Sequence, residues 1–199
     1  MQYPPTIKNL IECYKKLPGI GEKTAERLTL ATLKLDTEMI DLFARSLTDS
    51  KDKVKRCTVC QNLCEGDLCE VCKDTSRTKD IICVVEDPKN VIAFEKMGTY
   101  KGLYHVLNGL ISPLDGMSPE DINLKSLLDR IEKEKIKEII LAVKPSIEGE
   151  TTVLYISKIL SGIPVKITKI AHGIPMGADM EYVDLMTLET ALDNRIEVA

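Results

Sequence analysis

Tryptophan is absent from this chain of 199 residues, and phenylalanine occurs only twice. The core must therefore be built from Leu, Ile, Val and Ala, which suits helices and parallel sheets, and base-stacking on aromatic rings is excluded as the main mode of binding. Long apolar runs are missing too, since none approaches the ~18 to 20 residues of a transmembrane helix. Histidine is scarce: His105 and His172 are the two, neither lies in a motif, and each reads as packed or surface rather than catalytic. The start lacks a leader pattern and the cysteines total an odd seven, which favours a reducing, cytosolic setting over a disulfide framework. Low-complexity tracts and internal repeats are also lacking.

What is present is most concentrated between Arg56 and Lys73. Cys57-x-x-Cys60 and Cys69-x-x-Cys72 are separated by eight residues. Two residues between cysteines let both thiolates of a pair face one ion, and two pairs complete a closed tetrahedral site with no place for water, so one structural zinc per chain is expected. The spacer Gln61 to Leu68 is shorter than in most zinc ribbons, which makes the unit a staple. Cys64 lies inside that spacer as a competing ligand, and reduced or disulfide-paired cysteines are the alternative. Cys83, in an apolar run, reads as core.

Net charge is −4, but residues 1 to 56 carry eleven Lys and Arg against eight Asp and Glu, while the remainder carries sixteen against twenty-three. A basic front suggests contact with phosphate. Pro4, Pro5 and Thr6 open a helix with Ile7, Leu10, Ile11, Tyr14 and Leu17 on one face, and Pro18 ends it. A second helix follows Pro18-Gly19-Ile20-Gly21, with Ala25, Leu28, Ala31 and Thr32 along a face. The order G-x-x-x-x-G-K-[ST] after a strand is not met, so neither a P-loop nor a dinucleotide fingerprint fits. The turn resembles that of a helix-hairpin-helix motif, in which glycines admit a DNA phosphate to the amides that start the second helix. Gly19 and Gly21 would supply the turn, and Lys23 and Arg27, four apart, would add cationic reach. A plain helical hairpin with a solvated charged face is the bland alternative. Asp36 can cap a third helix to about Lys53 that buries Met39, Ile40, Phe43 and Leu47.

Beyond the cysteines the pattern changes. Ile81 to Glu86 is a β-branched run suited to a strand buried on both faces, and Asp87-Pro88 supplies a helix start. Helix near 91–97, strand 102–107, helix near 124–133, strand 138–143, helix 149–160 and strand 165–168 follow. The alternation predicts a parallel-type sheet with covered faces. Residues 171–183 read as a loop, and Asp184 to Arg195 as a terminal helix.

Acids fall at the strand ends, where open α/β sheets place their sites. Glu86 closes the first strand, and Lys144-Pro145-Ser146-Ile147-Glu148-Gly149-Glu150 follows the third. The arrangement resembles a Toprim domain, whose lone Glu faces a D-x-D-x-[DE]-G cluster that holds magnesium. Glu86 and Glu148-Gly149 match, but Lys144 and Ser146 stand where the two aspartates belong. An amine and a hydroxyl remove most of the charge that recruits a hard cation.

Helix-hairpin-helix, C-x2-C-x8-C-x2-C, then a degenerate Toprim domain, in that order, resembles the RecR family of bacterial recombination mediators. Leu17 to Leu28 and the segment Ile-Ala-His-Gly-Ile-Pro-Met-Gly from Ile170 carry the likeness at the two ends, so it spans the chain. Departures are Lys144, where the family more often has Asn, and Cys64. The resemblance implies a fold of four parts: a helical domain over 1–55, a four-cysteine zinc knuckle over 56–78, a Toprim-like α/β domain over 79–170, and a C-terminal loop and helix over 171–199. It also implies a cytoplasmic, nucleoid-associated DNA-repair protein without enzymatic activity. Such a protein forms a homo-oligomeric ring, a tetramer, binds gapped, single- and double-stranded DNA, and works with RecO and RecF to load RecA. Gly19, Gly21, Lys23 and Arg27 would meet DNA, Cys57, Cys60, Cys69 and Cys72 would hold zinc, and Glu86, Glu148 and Glu150 would face a basic partner. The rivals are an active Toprim nuclease or primase-like enzyme, which the missing D-x-D pair disfavours, and a purely structural zinc scaffold, which the basic hairpin disfavours.

Overall fold

Proline at the first helical position costs no hydrogen bond, and α1 (Pro5–Lys15) begins that way in the computed structural model, which describes residues 3–197. The chain divides into two units, Met1–Val54 and Lys55–Ala199. In the first, α1 buries Ile11 and α2 (Glu22–Thr32) buries Ala25 and Thr29. Thr32 Oγ1 donates to the Leu28 carbonyl at 2.9 Å, so Tyr14 Oη, 2.7 Å away, donates to Thr32 and ties the two helices together. The inner face of α2 is shifted by part of a turn from expectation: Thr29 is inside and Ala31 is exposed. The first helix ends earlier than Pro18, closing at Lys15 with Leu17 exposed in the turn.

Asp36 caps α3 (Thr37–Lys53) as expected, accepting from the Met39 amide at 2.7 Å. Its apolar stripe is not buried, however. Met39, Phe43 and Leu47 are exposed, Leu47 by 60%, and no residue of α3 counts as buried. α1 and α2 satisfy one another, and within the described residues this stripe is left uncovered.

The second unit opens with a two-residue antiparallel ribbon, β1 (Lys55–Arg56) against β2 (Leu63–Cys64), and a one-turn helix, α4 (Glu70–Lys73). Four parallel strands follow: β3 (Ile81–Val85), β4 (Leu103–Val106), β5 (Glu138–Ala142) and β6 (Lys166–Lys169), in the order β4-β3-β5-β6. The connection from β4 to β5 must step over β3, which sends α5 (Pro88–Met97) and α6 (Leu124–Glu134) to opposite faces. Leu127 and Ile131 of α6 and Ile156 of α7 (Ile147–Ile159) pack on Ile82, Val84, Ile139 and Leu141. On the other face, Val91 of α5 shares its cover with Cys57, Cys60, Cys69 and Val71, against Cys83, Val85, Tyr104 and Val106. The cysteine unit is therefore part of the core wall. Cys83 is buried as expected, which pushes its thiol up to about 12.

β4 is an outer strand, and three of its outward groups have partners. Tyr104 O accepts from Arg130 Nη1 at 2.6 Å, Val106 O from Asn123 Nδ2 at 3.1 Å, and Val106 N donates to Cys60 O at 2.8 Å. Edge groups satisfied in this way cannot template another strand. His105 on the same strand is fully buried, and burial lowers it to about 4. Its Nε2 donates to the Asn123 carbonyl at 2.9 Å, so it is a neutral core residue. After β6 the chain runs without regular structure except a short turn at Met180–Tyr182, and ends in α8 (Leu185–Asp193), where no residue is buried.

The segment between α4 and β3 is anchored by Arg77. Its Nη1 donates to Glu95 Oε1 at 3.0 Å and to Gly102 O at 3.1 Å, its Nη2 also meets Glu95, and Tyr104 Oη donates to Glu95 at 2.8 Å. Burial works to raise Glu95, but Arg77 and Tyr104 outweigh it and hold the carboxyl below its ordinary 4.5. Arg77→Ala should cost about 2 to 4 kcal/mol, because it strands a partly buried carboxylate. A carboxyl lowered on folding stabilises the protein above its unfolded value and loses that contribution as pH falls through the folded one. In urea titrations the gap between parent and Arg77→Ala should therefore be widest above about pH 4.5 and narrow below it; an equal gap at pH 3 and pH 7 would refute the pairing.

Candidate functional site

Three places carry chemistry. The first is the hairpin of the N-terminal unit. Gly19 takes φ +78°, a left-handed conformation open to glycine at little cost, and nothing lies within 4 Å of where a Cβ would stand at Gly19 or Gly21. Gly21 is the N-cap of α2 and has no side chain to offer, so the first-turn amides are left for an outside acceptor. Lys23, Arg27 and Lys34 line one shallow cavity of about 420 Å³ with Tyr3, Glu26 and Leu30. Lys34 lies beyond the motif, in the turn after α2, and sequence reasoning passes over it. Glu22, in the same first turn, is drawn aside by Lys15 at 2.6 Å, and Glu12 and Glu22 together hold the Lys15 ammonium well above its usual range.

The second is the zinc finger. Cys57, Cys60, Cys69 and Cys72 place their sulfurs within 4.8 Å of one another, with Cys60 and Cys69 at 3.4 Å. Tetrahedral zinc–thiolate geometry asks for ~3.8 Å between sulfurs, so the cage fits one ion. Hydrogen bonds from the neighbouring Cys60 and Cys72 pull the Cys69 thiol far below its normal range. Cys64 stands outside the cage, its thiol donating to the Gly66 carbonyl at 2.9 Å. The four paired cysteines form a closed zinc site, and zinc bound there would fix the ends of both turns. Metal analysis should find about one equivalent per chain, lost in Cys57→Ser and kept in Cys64→Ser; the reverse behaviour of Cys64→Ser and Cys69→Ser would mean a different ligand set.

The third is the strand-end cluster. β3 and β5 are neighbours, so Glu86 after one and Lys144 after the other come together, with Lys144 Nζ 3.8 Å from Glu86 Oε1. Asp87 is committed elsewhere, capping α5 reciprocally with Asn90. Ser146 caps α7, accepting from the Gly149 amide at 3.2 Å and donating to Glu148 at 2.7 Å. That bond, helped by the Lys144 charge, holds Glu148 below its ordinary range. Glu150 turns away to Lys169 at the end of β6, 3.1 Å from its ammonium. Gly149 is obligatory here: a Cβ would stand 2.0 Å from the Lys144 carbonyl. An ammonium beside Glu86 and a hydroxyl occupied in capping are poor ligands for a hard divalent cation.

Comparison with known proteins agrees with this order of parts. Residues 7–51 match the family model described as RecR, helix-hairpin-helix, residues 54–74 that of the RecR four-cysteine zinc finger domain, residues 80–171 Toprim domain, and residues 173–196 RecR, C-terminal. A protein of Staphylococcus haemolyticus named Recombination protein RecR is 49% identical over 198 residues, which span the whole of both chains. Proteins of the same name from two strains of Staphylococcus aureus, Mu3 and JH9, are 48% identical over the same span. With relatives matched end to end and each of its parts recognised in turn, the chain belongs to the RecR family of recombination proteins.

Proposed function

We propose that this protein is a non-enzymatic recombination mediator that binds DNA through the α1–α2 hairpin and helps RecO, and in some settings RecF, to load RecA on gapped DNA. The observation that carries the reading is the cavity lined by Lys23, Arg27 and Lys34 beside an α2 start with no side-chain cap. Cations along the second helix and uncapped amides at its start both suit the phosphate backbone, and neither reads sequence. Affinity for duplex and single strands should then fall steeply with salt. Lys23→Ala/Arg27→Ala should weaken binding and flatten the salt slope by up to ~2 units on duplex DNA. Undiminished binding by that variant would remove the hairpin from the DNA site.

A homo-oligomer, in the form of a tetrameric ring, belongs to the same reading. The exposed apolar stripe of α3 and the exposed Met180, Tyr182, Leu185 and Leu192 near the C-terminus supply apolar surfaces that subunit contacts would cover. Among the described residues no helix is long and apolar enough to cross a membrane. The same reading places the protein in the cytoplasm, on the nucleoid.

The strand-end acids we assign to a basic partner, RecO. Glu148 is the centre of that surface, since Lys144 and Lys169 already face Glu86 and Glu150. Charge-assisted bonds from Arg or Lys of the partner would hold it. Glu148→Ala should impair association with RecO while zinc content and folding persist, and the parent should give no magnesium-dependent cleavage, ligation or synthesis. A metal-dependent nuclease activity that Glu148→Ala abolishes would instead establish the Toprim-enzyme reading.

A further inference from the structure

We propose that Arg56 is a positioning residue that ties the zinc finger to the loop carrying Glu86, so that metal loading sets the pose of the strand-end cluster. Arg56 immediately precedes the first zinc-site cysteine. Its guanidinium spans two acceptors: Nη1 donates to the Gln61 carbonyl at 3.2 Å, within the finger, and Nη2 donates to Asn108 Oδ1, 52 residues further along the chain. Gln61 closes the turn made by the first two cysteines, held by Gln61 N to Cys57 O at 3.0 Å and Cys57 N to Asn62 O at 2.7 Å. That turn is fixed when Cys57 and Cys60 share an ion.

The other end of the link is just as constrained. Asn108 sits at φ +62°, where few residues other than glycine rest unaided. Its amide donates to Glu86 O at 2.8 Å, and the Gly109 amide approaches the same carbonyl at 3.3 Å. Two residues earlier, Val106 N donates to Cys60 O at 2.8 Å. The finger thus grips the end of β4 twice, once through a cysteine carbonyl and once through Arg56, and the gripped segment holds the backbone of Glu86. A finger that loses its ion frees the Cys57–Cys60 turn, and with it one acceptor of Arg56 and the acceptor of Val106. Linkage makes the effect reciprocal: whatever stiffens residues 106 to 109 must also tighten zinc. The coupling stands on these bonds alone and does not depend on which partner meets Glu86.

Zinc release into a chelator, followed on the intact protein, tests it with substitutions that spare the ligands. Arg56→Ala removes the fork. Asn108→Gly removes the acceptor while suiting the positive φ, and Asn108→Asp keeps an acceptor that tolerates that conformation and bonds Arg more strongly. Both removals should speed release about fivefold, the worth of a single hydrogen bond. The double variant should be no faster than either, because both cut one link, and Asn108→Asp should match or fall below the parent rate. In amide exchange, Arg56→Ala should loosen Val106 and Gly109 and leave Ile139 and Ile140 protected. Asn108→Gly releasing zinc at the parent rate, or single effects that multiply in the double variant, would overturn the proposal.

Discussion

A parallel sheet whose central strands are apolar on both faces has to be covered on both, and most of the second unit follows from that demand. β3 presents Ile82 and Val84 to one side, Cys83 and Val85 to the other. Two helices cover the first side. On the second, α5 and the buried cysteines with Val71 share one cluster with Cys83, Val85, Tyr104 and Val106. Zinc therefore does two jobs with one set of bonds. It closes a short, loop-rich segment that has no core of its own, and it holds that segment as a wall of a larger core. The Cys60 carbonyl extends the wall to the edge of β4, which is why that edge offers no row of open groups.

The same economy is visible at the strand ends. Parallel strands bring their carboxyl ends and the following helix starts to one rim, which favours anions there and would ordinarily gather a ligand. Here the rim is balanced from within. Lys144 faces Glu86, Lys169 faces Glu150, and the Ser146 hydroxyl answers both the α7 amides and Glu148. The charge pattern at this rim is set by pairs within the chain.

Much of this is legible in the chain. The cysteine spacing names the zinc site, the β-branched run at Ile81 locates the central strand, and Asp36 and Asp87-Pro88 mark helix starts that the structure places at those residues. What escapes are facts of tertiary distance. The period of Met39, Phe43 and Leu47 says which side of α3 is apolar, but periodicity cannot say whether the protomer itself covers that side. Arg56 and Asn108, or Arg130 and the Tyr104 carbonyl, have no local signature, because their meeting is decided by how far β4 lies from the finger and from α6. The contact of Tyr14 with Thr32, eighteen residues apart, ties α1 to α2 in a way that propensity does not encode.

The glycine behind Glu148 has a consequence for the rim. With its missing side chain pressed on the Lys144 carbonyl, the turn from β5 into α7 has one available path, whatever side chains line it. Replacements at positions 144 and 146 then alter what the rim attracts without altering where it points. A change of charge at the rim therefore needs only side-chain replacements, with the path of the turn left as it is.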